Sequence, residues 1–172
     1  MPHLLMHWFT AGSIPTLVAA VLAAAAVLLF LANAVRLSII DFRSHLLPNR
    51  ILGPWFISAA VLLGAAAVLA GEPMMLLRMV LGAVILFTGY LLLHLAVPAG
   101  MGLGDVKLAA VLGLYLGFVS YPHLFWATAL AFMIGAVFAL VLILARRASA
   151  RTAVAFGPFM LAGAAIALGM AG

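Results

Sequence analysis

The stretch PAGMGLGDVKLAAVLGLYLG, residues 98–117, passes from a glycine-rich segment into an apolar run and carries one of only three acids in a chain of 172 residues. Around it the composition is 69% hydrophobic and 6% charged, far from the average of soluble domains. Uncharged runs of about 20 residues, the length a bilayer's hydrocarbon core demands, recur along the whole chain. Asp105 therefore opens a membrane segment, and the glycines before it form a connection at the membrane edge.

Working outward from this stretch, breaks at charges, prolines and glycine clusters divide the chain into six apolar segments, at 14–39, 51–70, 75–97, 105–119, 123–145 and 154–171. The expectation is an all-α, polytopic membrane helix bundle of about six transmembrane helices, forming a single integral-membrane domain over residues 1–172. The N-terminal stretch lacks a basic region and a small-residue cleavage site ahead of its apolar run, so it reads as a retained first span.

Net charge is +5, and seven of the eight basic residues are arginines at the ends of apolar runs. That placement is membrane topology, and it argues against nucleic acid as a partner. Arg36, Arg43, Arg50, Lys107, Arg146, Arg147 and Arg151 fall at the first, third and fifth connections, and only Arg78 at the other two. The odd connections are expected to be cytoplasmic and both termini outside. Trp8, Tyr121 and Trp126 then suit the outer interface and Trp55 the inner one. The chain has no cysteine, which excludes thiol catalysis and thiolate zinc sites; no metal and no cofactor is expected.

The acids separate by face. Glu72 sits alone in an outer turn, whereas Asp41 and Asp105 lie at the cytoplasmic connections. Asp105 has an ordinary reading as a helix N-cap. Asp41, in SIIDFRSHLLPNR (residues 38–50), falls at a helix C-terminal end, where the dipole disfavours negative charge; a surface ion pair with Arg43 is the simple alternative. Ionisable groups at membrane depth are expensive and point to function. Two carboxylates brought close share one proton, so one activates a water while the other polarises a carbonyl. Gly102 and Gly104, lacking side chains, let a second backbone come close to Asp105.

These residues resemble a known family. DFRSHLLPNR (residues 41–50), with Pro48 and Asn49, and GLGDVK (residues 102–107) resemble the two signature regions of type IV prepilin peptidases, and FGPFMLAGA (residues 156–164) resembles a third segment near that family's C-terminus. The resemblance implies a GxGD aspartyl protease-like fold and a membrane aspartyl endopeptidase. Such an enzyme removes the leader peptide of prepilins or pseudopilins, after a glycine, at the cytoplasmic face of the bacterial inner membrane. By position, Asp41 and Asp105 are the implied catalytic pair; Gly102, Gly104, Lys107, Pro48, Asn49, Gly157 and Pro158 match the surrounding motifs. Many family members also N-methylate the new pilin terminus and carry paired zinc-binding cysteines in an extra N-terminal region. This chain has neither, and cleavage without N-methylation by a short form is expected.

Other polar residues have plainer readings. Lys107 lies two positions beyond Asp105, round the helix from it, and snorkels to the headgroups. His45 reads as interfacial, and His3, His7 and His94 carry no role. Gly113 with Gly117, Gly135 with Ala139, and Gly163 with Ala167 are helix-packing signals. Two other functions compete with leader cleavage. A presenilin-like intramembrane protease would carry Tyr where Ile40 stands and a Pro-Ala-Leu stretch that is absent here. A non-enzymatic transporter or scaffold would use the aspartates only to cap helices or hold a cation.

Overall fold

In hydrocarbon a chain this apolar has one way to satisfy its backbone, by hydrogen bonds internal to each helix. A computed structural model describes residues 1–10, 12–44, 46–97, 101–145 and 155–170, and among them the chain is entirely helical outside turns and connections. The order is α1 (Pro2–Thr10), α2 (Ile14–Ser44), α3 (Asn49–Leu69), α4 (Pro73–Ala96), α5 (Leu103–Val119), α6 (Tyr121–Leu144) and α7 (Gly157–Gly169).

Four of the six expected spans, α2, α3, α4 and α6, are long and apolar enough to cross a membrane. The other two are shorter, 17 residues in α5 and 13 in α7. At the helical rise these lengths are about 25 and about 20 Å, below the roughly 30 Å of a hydrocarbon core. The count of six is thus not met by helix length, and the reason lies in burial. Both short helices are enclosed: α5 buries every residue from Val111 to Phe118, and α7 buries Gly157 to Leu161. Enclosed by protein, they need not match the lipid thickness. The long helices instead expose apolar side chains such as Leu28, Val61, Met74 and Val137.

Helix α5 is the hub, packed against α3, α4, α6 and α7. Its partnership with α4 is a backbone-to-backbone approach. A methyl group on Gly113 would strike the Gly82 carbonyl oxygen, and one on Gly117 the Arg78 carbonyl oxygen. The packing role expected of Gly113 and Gly117 is thus met by a third glycine, Gly82, on the facing helix. Gly163 plays the same part between α7 and α6, where an added Cβ would lie 2.8 Å from the Ala131 nitrogen.

One buried polar chain ties three helices together. Trp55 Nε1 donates to Tyr115 Oη at 3.0 Å, and Tyr115 Oη donates to the Ala26 carbonyl at 3.0 Å. Trp55 therefore lies in the core, 2% exposed, and not at the inner interface. Trp8 is also buried, edge-on to Phe118, while Tyr121 and Trp126 are exposed. An indole in hydrocarbon leaves a donor to satisfy, and Tyr115 satisfies it here.

Glu72 lies in the turn between α3 and α4. Gly71 takes φ +72°, and the Gly71 and Glu72 N–H groups bond back to Val68 and Ala67, closing α3 before Pro73 opens α4.

Candidate active site

Asp41 sits one turn from the end of α2, only 4% exposed, where its own helix dipole opposes a charge. The compensation comes from another helix. The Gly157 N–H, at the start of α7, donates to Asp41 Oδ2 at 3.1 Å. First-turn N–H groups have no partner inside their own helix, so this donor is available without cost to α7. Pro158, with no N–H to lose, occupies the following helical position.

Asp105 lies on α5, 8% exposed, at the third helical position and not at the N-cap itself, which is Gly102. Its Oδ2 reaches back to accept the Gly102 N–H at 3.1 Å. This is the acid half of a capping box, so the ordinary local reading of Asp105 holds in part. Each aspartate thus rests against a helix N-terminus, Asp105 on its own helix and Asp41 on a helix 116 residues away in sequence.

The connection between α2 and α3 runs beside both. Pro48 is the N-cap of α3 in an extended conformation, φ −71° and ψ 126°. It restricts Leu47 before it. A Cβ on Gly104 would lie 2.8 Å from Leu47 Cβ, and a Cβ on either Gly104 or Gly157 would lie 3.4 Å from Leu47 Cδ1. Gly104 is therefore glycine because Leu47 presses against it. What lies against Gly104 is the Leu47 side chain, and Gly102 meets only Asp105 and Gly104 of its own segment. Gly157 is constrained more tightly still, since an added Cβ would lie 2.7 Å from Asp41 Oδ2.

Lys107, expected to reach for the headgroups, has a protein partner: its Nζ donates to Asn49 Oδ1 at 2.9 Å. This bond joins the two signature regions, at the start of α3 and the first turns of α5. His94 also has a place, its Nδ1 lying 2.7 Å from the Met101 carbonyl oxygen at the entrance to the glycine segment. Beneath the site, Phe42, Phe138, Phe159 and Phe156 form a continuous aromatic contact that ends on Tyr90 and Phe132. It holds the α7 start against α2 and α6.

The structure thus gathers Asp41, Asp105, Gly102, Gly104, Pro48, Asn49, Lys107 and Gly157 at one end of the bundle. Leu47 and His94 were not singled out as site residues by sequence. Only the adjacency of Leu47 to the Pro48-Asn49 pair could have flagged it. His45, Gly100, Arg146, Arg147 and Arg151 lie outside the described residues.

The two carboxylates are both buried, and a backbone N–H donor holds one oxygen of each. No curated protein and no solved structure matches the chain. Residues 27–144 match the type IV leader peptidase family. The matched region includes both aspartates and the Lys107–Asn49 bond between their motifs, and the chain belongs to the type IV leader peptidase family.

Proposed function

We propose that this protein is an aspartyl endopeptidase that cleaves the leader peptide from type IV prepilins or pseudopilins, with Asp41 and Asp105 as the catalytic pair. The observation that carries the reading is the position of the two carboxylates. Both are buried, each accepts a backbone N–H, and Leu47 packs against the glycines beside both. Family membership favours a peptidase over a transporter or scaffold that would use the same acids only as caps.

In the proposed reaction the pair holds one proton. The ionised carboxylate removes a proton from water as the water oxygen attacks the carbonyl carbon of the scissile peptide. The protonated carboxylate gives its proton to the carbonyl oxygen, producing a neutral tetrahedral diol. Return of a proton to the amide nitrogen then breaks the C–N bond and releases a carboxylic acid and an amine. The backbone donors at Gly102 and Gly157 hold the carboxylates in place through this exchange, which limits reorganisation. Lys107, Asn49, Pro48 and Pro158 are proposed to shape the surroundings and not to transfer protons.

The same reading places the protein as a single membrane domain in the bacterial inner membrane, with both termini outside and the aspartates at the cytoplasmic face. The concentration of cations at the odd connections supports that orientation. The absence of cysteine supports cleavage without N-methylation. The test is co-expression with a prepilin carrying an intact leader, followed by mass analysis of the product's N-terminus. One defined cut with an unmodified amine is expected. An intact substrate would overturn the peptidase reading, and a methylated amine made by this protein alone would overturn the second part.

A further inference from the structure

We propose that a pocket between α2 and α3 binds the headgroup of one anionic phospholipid, its phosphate held by Arg36 and Arg50. The proposal stands apart from leader cleavage and needs neither aspartate. The pocket has a volume of about 280 Å³, and Asn33 and Arg36 of α2 line it together with Arg50 and Ser58 of α3. Among the described residues, which include all three acids of the chain, no ion pair reaches either guanidinium. A second groove, along α3 and α5, has a single cation, Lys107, whose Nζ is bonded to Asn49. The pocket between α2 and α3 instead has two cations and no anion.

Two like charges set on one pocket repel, and an anion between them turns that cost into attraction. A phosphate suits the place because each guanidinium presents a planar fork of donors that matches two phosphate oxygens. Arg50 also lies in the first turn of α3, where the helix dipole adds positive potential. Ser58 is eight residues further along α3, about 12 Å deeper into the bundle. The Ser44 and Thr128 hydroxyls turn back onto carbonyls of their own helices, whereas Ser58 forms no such bond among the described residues. Asn33 gives one amide N–H to the Leu29 carbonyl at 2.9 Å and keeps a second. These donors lie on the side where the ester carbonyls below a phosphate would sit, and Leu29 and Pro54 complete the lining with hydrocarbon. A zwitterionic headgroup brings a cation that both arginines repel, so a lipid of net negative charge is favoured.

The experiment takes the full chain in detergent, adds phosphatidylglycerol or phosphatidylcholine of the same acyl chains, and counts bound lipid by native mass spectrometry. The wild-type protein is compared with Arg36→Gln, Arg50→Gln and Arg43→Gln; Arg43 is exposed in the same region but does not line the pocket. An arginine anywhere near an anionic surface is worth about 5-fold in affinity, whereas charge-assisted hydrogen bonds in a formed site are worth about 10-fold or more. The wild-type protein should retain one phosphatidylglycerol in preference to phosphatidylcholine. Arg36→Gln and Arg50→Gln should each weaken that retention by at least about 10-fold, and Arg43→Gln by about 5-fold or less. Equal losses in all three variants would reveal only a general surface field and overturn the site. Equal retention of the two lipids, or none by the wild-type protein, would overturn it as well, and that comparison needs no variant to fold. Displacement of the lipid by millimolar inorganic phosphate would assign the pocket to a free anion instead. None of these results bears on leader cleavage, because activity is not read.

Discussion

The Gly157 N–H donates to Asp41 Oδ2 at 3.1 Å, across 116 residues of sequence, and so the start of α7 positions a carboxylate on α2. The hydrogen bond needs a glycine, because an added Cβ would sit 2.7 Å from the oxygen it serves. In Gly157→Ala the part able to move is the carboxylate. The loss should fall on activity, about 100-fold as expected for a catalytic group displaced by about 1 Å. Thermal unfolding in detergent should change little by comparison. A variant that keeps wild-type cleavage would show that Asp41 needs no such positioning.

The Lys107–Asn49 bond is exposed and joins the first turns of α3 and α5, so its energetic weight is modest. Lys107→Met and Asn49→Ala should each lower stability by about 1 kcal/mol or less, and the double variant by less than their sum. A double-mutant cycle read by unfolding in detergent gives the coupling. Strict additivity would mean that the two side chains do not interact in the folded protein.

Close helix packing at α4 and α5 gives a sharper contrast. Gly113→Ala places a methyl group into the backbone of Gly82 and Ala83, where nothing can rotate away, and should cost about 1–3 kcal/mol or more. Gly89→Ala, on the same helix as Gly82 but facing open space, should be neutral or stabilising by up to about 1 kcal/mol. Equal unfolding temperatures for the two variants would contradict the intimate α4–α5 contact.

These contrasts mark what the amino-acid order could and could not reveal. Helical character and membrane residence follow from the length and apolarity of the segments, and the rarity of acid picks out Asp41 and Asp105. The sixth apolar segment was legible at 154–171, and α7 occupies Gly157–Gly169 within it. The enclosure of α5 and α7 was not legible, because in uniformly apolar helices no polar face distinguishes protein from lipid. Trp55 looked interfacial because its one polar atom suggests water, yet its partner is a tyrosine 60 positions away. Gly82 and Leu47 were missed for a related reason: each matters through what it touches, and neither has a chemical group that announces it.

Orientation is open to a direct check, since the chain has no cysteine to interfere. Ser44 at the end of α2 and Glu72 at the turn before α4 are both exposed. In intact cells a membrane-impermeant thiol reagent should label Glu72→Cys, and Ser44→Cys should react only after the membrane is opened. The reverse pattern would invert the proposed topology.

The most direct test replaces each carboxylate by its near-isosteric amide. Asp41→Asn and Asp105→Asn should each fold, unfold near the wild-type temperature and leave a co-expressed prepilin uncut, because neither a lone carboxylate nor an amide can both take and give the shared proton. Continued cleavage at the same bond by either single variant would contradict the two-aspartate mechanism.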